Sequence, residues 1–162
     1  MTRRARIRRV AHREPPRLGD SPRGMRWAAK NGYRWADVNC LLSREGVPHA
    51  AHGAPFGLAQ QGFLPDGDAR RVRDLRADEL FELRSPDGYR VPSIYRVFRA
   101  AAKYGVNVEL EPKDDHRFTK PETWHNIAFF AEAAWGDDWA KHVQVKCLTN
   151  LSGGLTYARR VL

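Results

Sequence analysis

The sequence predicts an α/β chain built on a parallel sheet. Two observations carry this prediction. Short strand-like runs, rich in Val, Leu and aromatic residues, are separated by stretches with helical spacing. Strands that alternate with helices pair in one direction, because each helix returns the chain to the same end of the sheet. With 162 residues, 42% hydrophobic and 29% charged, the chain has the size and composition of one globular domain with a real core. Residues 1–162 read as a single domain, with a basic tail at 1–6.

The tail carries Arg3, Arg4 and Arg6, with Arg8 and Arg9 just beyond it. No aromatic platform is interleaved with them, as stacking on single-stranded nucleic acid would favour. The expected reading is therefore a basic lead into a first strand at 7–12, and nucleic acid is not the expected partner. Pro and Gly make 14–20 a loop. Ser21 is placed to cap a helix over 22–31, with Pro22 in its first position and Gly32 at its end. The next strand is 35–42, W-A-D-V-N-C-L-L. Alternate residues of a strand share a face, so Asp37 and Asn39 point one way while Ala36, Val38 and Cys40 point into apolar packing. Ser43-Arg44-Glu45-Gly46 turns the chain into a strand at 47–52, which ends at His52 beside Gly53.

A Gly-rich loop follows at 53–70. Its Phe56, Leu58 and Phe63 either form a lid or pack on their own domain. A short helix opens within 72–80. A longer one spans 91–104, with Ile94, Val97, Phe98 and Ala101 as its buried stripe and Gly105 as its stop. The strand at 106–113 puts Glu109, Glu111 and Lys113 on one face and Val108 and Leu110 on the other. After a polar loop at 114–119 come an amphipathic helix at 121–135, an alternating strand at 142–148 and a last helix at 155–162. Both cysteines, Cys40 and Cys147, fall in strands and read as buried thiols, with one disulfide left open. No apolar run reaches the length of a membrane span. The basic start lacks the apolar segment of a secretory signal, so the expected location is cytoplasmic. The net charge of +9 comes largely from arginine, which fits either anionic partners or a coding bias towards that residue.

Two oxygen-bearing side chains at i and i+2, Asp37 and Asn39, can together hold a hard cation. The stretch around them resembles the glycerophosphodiester phosphodiesterase family, which carries Glu-x-Asp on a strand, a Lys-Asp-Gly-Val-Pro type of turn and a strand ending His-Asp. Here those motifs read Asp37-Val38-Asn39, Arg44-Glu45-Gly46-Val47-Pro48 and His52-Gly53. The family's opening His-Arg-Gly reads His12-Arg13-Glu14, and its Pro-Glu-Asn-Thr reads Pro22-Arg23-Gly24-Met25. A segment at 72–80 resembles its Glu-Leu helix start, and Pro92-Ser93 its Ile-Pro-Thr. Its Glu-x-Lys reads Glu111-Pro112-Lys113. A competing register pairs Glu109 with Glu111, but leaves no lysine in place.

The resemblance implies a (β/α)₈ barrel of the TIM type with its site at the C-terminal ends of the strands. About five of the eight strands are counted here, so the barrel is expected to be incomplete. The resemblance also implies His12 and His52 as acid and base, Arg13 and Lys113 on phosphate, and a divalent metal, Mg²⁺ or Ca²⁺, on Asp37, Asn39 and Glu111. The expected activity is hydrolysis of a small glycerophosphodiester or phospholipid-derived substrate. The substitutions at Glu14, Arg23, Gly24, Asn39 and Gly53 leave two alternatives: an inactive relative that binds phosphodiester headgroups or polymers, and a phospholipase of the sphingomyelinase D type. The open side of such a barrel is expected to be covered by a second copy or another chain, or else the chain is a truncated piece with low stability and little activity.

Overall fold

The computed structural model describes residues 9–12, 19–52, 58–113 and 116–146. Five strands and four α-helices follow one another as β1 (Val10–Ala11), α1 (Pro22–Lys30), β2 (Trp35–Leu42), β3 (Pro48–Ala50), α2 (Ala77–Glu82), α3 (Ile94–Tyr104), β4 (Asn107–Pro112), α4 (Pro121–Trp135) and β5 (Val143–Val145). The sheet runs β1-β2-β4-β5, every neighbour in that order parallel. The expected α/β class and parallel sheet are present. β3 departs from the parallel pattern: it folds back antiparallel onto the end of β2, with Cys40 opposite Ala50. A five-residue connection allows nothing else, since a parallel return needs a long crossover.

The helices start where their caps dictate. Ser21 accepts from the Gly24 amide through its hydroxyl at 3.1 Å, with Pro22 in the first turn. Ser93 does the same for the Arg96 amide, so α3 begins at Ile94 and not at 91. Val91 and Pro92 are extended instead, and the Pro92 carbonyl accepts from the Ala50 amide at 2.9 Å. That bond also ends β3 earlier than its expected boundary at 52. Gly105 closes α3 at φ 67°, a left-handed conformation that a side chain would strain. The Glu111-bearing strand and the helix Pro121–Trp135 match their expected spans to within a residue or two. The last helix expected at 155–162 lies outside the described residues, as do Phe56 and Cys147.

The core forms where α1, α3 and α4 pack on one another and on the sheet. Val38, Phe98, Val108, Leu110, Phe118 and Ile127 are completely buried in it. Cys40 belongs to the same core as a free thiol, and burial pushes its pKa well up. A second apolar cluster holds Ala51, Leu58, Leu64, Val72, Leu75, Leu80 and Val91. For Leu58 this decides between the two readings of the loop: the side chain is 1% exposed and packs on its own domain. Arg117 ties the β2–β3 turn to the start of α4, donating to the carbonyls of Ser43 at 2.7 Å, Arg44 at 3.0 Å and Leu42 at 3.3 Å.

His49 lies in β3 and is 3% exposed. Burial pushes its pKa down to about 4, partly countered by the charge of Glu45 and by the Pro92 carbonyl. Its folded pKa is below its unfolded one, so between about pH 4 and 6.5 the unfolded chain binds more protons. The stability it supports is complete above pH ~6.5 and is lost as pH falls through that window. Urea unfolding should show the native chain losing about 3 kcal/mol more than His49→Leu between pH 7 and pH 4. Equal losses would mean that the imidazole is already paired or solvated.

Candidate active site at the strand ends

The sheet register places the polar side chains. Ala11 pairs with Ala36, which brings His12 alongside Asp37 just beyond the end of β1. Asn39 pairs with Glu111 across β2 and β4. Leu110 pairs with Val145, and the Lys146 amide donates to the Leu110 carbonyl at 2.8 Å, which sets Lys146 beside Glu111. The C-terminal ends of β1, β4 and β5 and the middle of β2 therefore converge on one cluster.

Asp37, Asn39 and Glu111 are 4%, 4% and 5% exposed. Carboxylates this far from water need partners. Asp37 Oδ2 has two: His12 Nδ1 at 3.2 Å and Lys146 Nζ at 3.0 Å. Glu111 also has two, Lys146 Nζ on Oε2 at 3.1 Å and Lys113 on Oε1. Burial works against the Glu111 charge, but the hydrogen bonds from Lys113 and then Lys146 outweigh it and hold its pKa below the usual carboxylate range. For Lys146, too, burial opposes the charge. The bonds to Asp37 and Glu111 prevail and raise its pKa.

Two members of this cluster were not among the residues singled out in the sequence. Lys146 is one, and Asp20 is the other. The Asp20 carboxylate accepts from the Asn39 amide at 2.8 Å and from Asn39 Nδ2 at 3.1 and 2.9 Å. It thus supplies the acceptor that β2 lacks past the end of the two-residue β1. Burial pushes its pKa up to about 6, against the bonds from Asn39, with a further push from Asp37. Asp20 immediately precedes the helix cap Ser21. The residues brought to the cluster from this corner therefore lie one turn earlier than Pro22-Arg23-Gly24-Met25, the stretch matched by resemblance.

His52 lines a cavity of about 600 Å³ together with Asp20. Arg23, Arg84, Arg90 and Arg96 line the same cavity, and the Arg23 guanidinium lies 4.3 Å over the Tyr89 ring. Apolar walls with converging cations suit an anionic organic ligand. The His52 carbonyl accepts from Gln61 Nε2 at 3.2 Å. Arg13 lies outside the described residues.

The expected metal ligands can be tested against this geometry. Asp37 Oδ1 and Asn39 Oδ1 are buried without a hydrogen-bond partner. The other carboxylate oxygens of Asp37 and Glu111 are engaged by ammonium groups, Lys146 bridging the two side chains. Among the described residues no three His, Cys, Asp or Glu side chains come together as a metal-holding group. Two carboxylates already balanced by two lysines do not offer the uncompensated charge that Mg²⁺ or Ca²⁺ draws on. The residues do not fit a resident divalent ion.

No protein-family profile matches the chain, and no curated protein sequence is similar enough to count as a match. Solved structures do match. One, from Galdieria sulphuraria and assigned as a glycerophosphodiester phosphodiesterase, has a TM-score of 0.73 at 17% identity, covering 96% of this chain and 61% of its own. The glycerophosphodiester phosphodiesterase from Agrobacterium tumefaciens gives 0.68 at 14%, with coverages of 96% and 64%. A phosphodiesterase from Oleispira antarctica, solved in complex with the product sn-glycerol-3-phosphate, gives 0.60 at 20%, with 86% and 56%. The chain thus shares the fold of these structures and spans about 56–64% of their length.

The Asp20–Asn39 pair yields a test of its own. Asn39→Asp sets two carboxylates against each other, and Asp20→Asn sets two amide donors against each other. Each single variant should lose about 1–3 kcal/mol in denaturant unfolding, while the double exchange Asp20→Asn with Asn39→Asp should recover most of the loss. Additive losses in the double variant would show that the two side chains do not act as a pair.

Proposed function

We propose that this chain hydrolyses a phosphodiester, most closely a glycerophosphodiester, to an alcohol and a phosphate monoester. The observation that carries the reading is His12, held through Nδ1 by buried Asp37, within a cluster whose cations come from Lys113 and Lys146. The matching fold, and a fold relative that holds sn-glycerol-3-phosphate, support the substrate class.

The chemistry follows from charge. A phosphodiester is anionic and gains negative charge as the nucleophile adds, so its oxygens need cations placed in advance. Lys113 and Lys146 are those cations at the strand ends. Arg13, from its place in the motif, is proposed as a further phosphate ligand. Asp37 fixes one ring nitrogen of His12 and leaves Nε2 to exchange a proton. Water attacks phosphorus and passes its proton to one histidine. The phosphorus–oxygen ester bond breaks, and the other histidine protonates the departing alkoxide. His52, on the wall of the arginine-lined cavity, stands on the side where the organic part of the diester would sit. Asp37 and Glu111 act here by orienting His12 and the lysines, and Asn39 by holding Asp20. The Mg²⁺ or Ca²⁺ that the resemblance implies would have to displace Lys146 to reach Asp37 Oδ2 and Glu111 Oε2.

A second reading is favoured by one observation. The substitution at Asn39 and the lysines on both carboxylates also suit a protein that binds phosphodiester headgroups without turnover. One set of assays separates the two, following a panel of glycerophosphodiesters by release of alcohol and by calorimetry. Turnover is expected, with His12→Ala and His52→Ala each lowering kcat by about 100-fold or more. Binding with no turnover in the native chain would select the second reading. Arg84→Ala and Arg96→Ala should raise KM with little change in kcat, since they touch the substrate in ground and transition states alike.

A further inference from the structure

We propose that Lys146 is the resident cation of this site, its ammonium standing where the resemblance places a divalent metal, so that the cluster holds its phosphate ligand without a metal ion. The metal-binding part of this inference stands apart from the proposed hydrolysis. Only its consequence for phosphate rests on that reading.

Four observations converge. Lys146 Nζ bridges Asp37 Oδ2 at 3.0 Å and Glu111 Oε2 at 3.1 Å. Those two carboxylates come from neighbouring strands and are the acidic members of the expected metal set. The distances lie at the long end of charge-assisted hydrogen bonds, and an ion coordinated by the same oxygens at about 2.0–2.6 Å would occupy the space the ammonium fills. Lys113 adds a second ammonium on the remaining Glu111 oxygen. The third expected ligand, Asn39, brings no charge, and its amide nitrogen is turned to Asp20. Lys146 is fixed in place by its own backbone, whose amide donates to the Leu110 carbonyl.

An ammonium has three donors, and the carboxylates use two of them. The third can meet a phosphate oxygen, which is the task a divalent ion would otherwise perform. The side chain is 35% exposed, enough to be reached by a ligand, whereas Asp37 and Glu111 at 3% and 7% are not. The cation therefore forms the accessible surface of the cluster, with the carboxylates beneath it. The two buried acceptors without partners, Asp37 Oδ1 and Asn39 Oδ1, stand on the same strand face. They are the sites where a metal would bind if the inference is wrong, so the experiment must be able to detect that.

Mn²⁺ is the probe, titrated into the full chain and followed by its electron paramagnetic resonance signal, which needs no substrate. The native chain should show no saturable binding that Glu111→Gln removes. Lys146→Met keeps the length of the side chain and loses the charge, and should gain Mn²⁺ affinity by at least about tenfold as two carboxylates lose their cation. Lys146→Arg should remain like the native chain. A folded Lys146→Met, judged by circular dichroism, that gains nothing would overturn the proposal. If that variant does not fold, the native chain still decides. The Lys146 side-chain ¹H–¹⁵N signal should persist unshifted through a Mg²⁺ titration, and a saturable loss or shift would show that metal displaces the lysine. Failure of the hydrolysis reading would leave these results unchanged, because none of them measures turnover.

Discussion

Two buried carboxylates, Asp37 and Glu111, set the terms for the rest of this structure. Asp37 lies within β2 and Glu111 near the end of β4, both closed off from solvent, where an ionised group needs partners in direct contact. The partners arrive from three places in the sheet: His12 from the end of β1, Lys146 from the end of β5 and Lys113 just after β4. All of them must end at one level, which requires a parallel sheet in this register. A shift of one residue in β2 against β4 would turn Glu111 towards the core and bring Leu110 into the cluster. Fold and site therefore share a single constraint, and the apolar side chains of the opposite face, Val38, Val108 and Leu110, hold the register that the polar face needs.

Much of this was legible in the sequence because a strand has a period of two. The run from Trp35 to Leu42 separates its polar and apolar faces cleanly, and the spacing from Asp37 to His52 carried the resemblance. The same period was available in the strand at 142–148. His142, Gln144 and Lys146 share a face there, and Lys146 stands at its C-terminal end as Glu111 does in β4. What the period does not reveal is which strand lies beside which. Lys146 becomes part of the site only because β5 pairs with β4, an adjacency that no local signal in the sequence states. Asp20 was harder still to read. It belongs to a loop, where no periodicity assigns a face, and its role arises because β1 stops two residues into the sheet and leaves the Asn39 amide without a strand partner.

The boundaries that moved have one cause in common. A backbone group was claimed by a distant segment. The Pro92 carbonyl takes the Ala50 amide, which shortens β3 and keeps Val91 and Pro92 extended ahead of α3. The Leu75 carbonyl takes the Arg44 amide in the same way and draws the segment after the long loop onto the β2–β3 turn. That docking brings Val72, Leu75 and Leu80 over Leu58 and Leu64 and closes the second apolar cluster, while Phe63 packs against it and lines the arginine-rich cavity. The arginine-lined cavity opens between the helix cap at Ser21 and the stretches 60–63 and 84–92. Its walls depend on the same contacts that shortened β3.

Asn39 shows how the substitutions act together. Considered alone, an amide in the place of a carboxylate looks like a weakened cation site. In the folded chain three carboxylates, Asp20, Asp37 and Glu111, already face two lysine ammoniums and one histidine. A fourth carboxylate at position 39 would lie within hydrogen-bonding distance of Asp20, whose pKa is already pushed up by burial and by Asp37. The amide avoids this repulsion and in return donates to Asp20. Once the acidic partner stands at 20, the neutral one is required at 39, just as Lys146 is required once Asp37 and Glu111 are buried side by side. The departures from the family pattern at these positions are therefore coupled through charge balance, and each makes physical sense only beside the others.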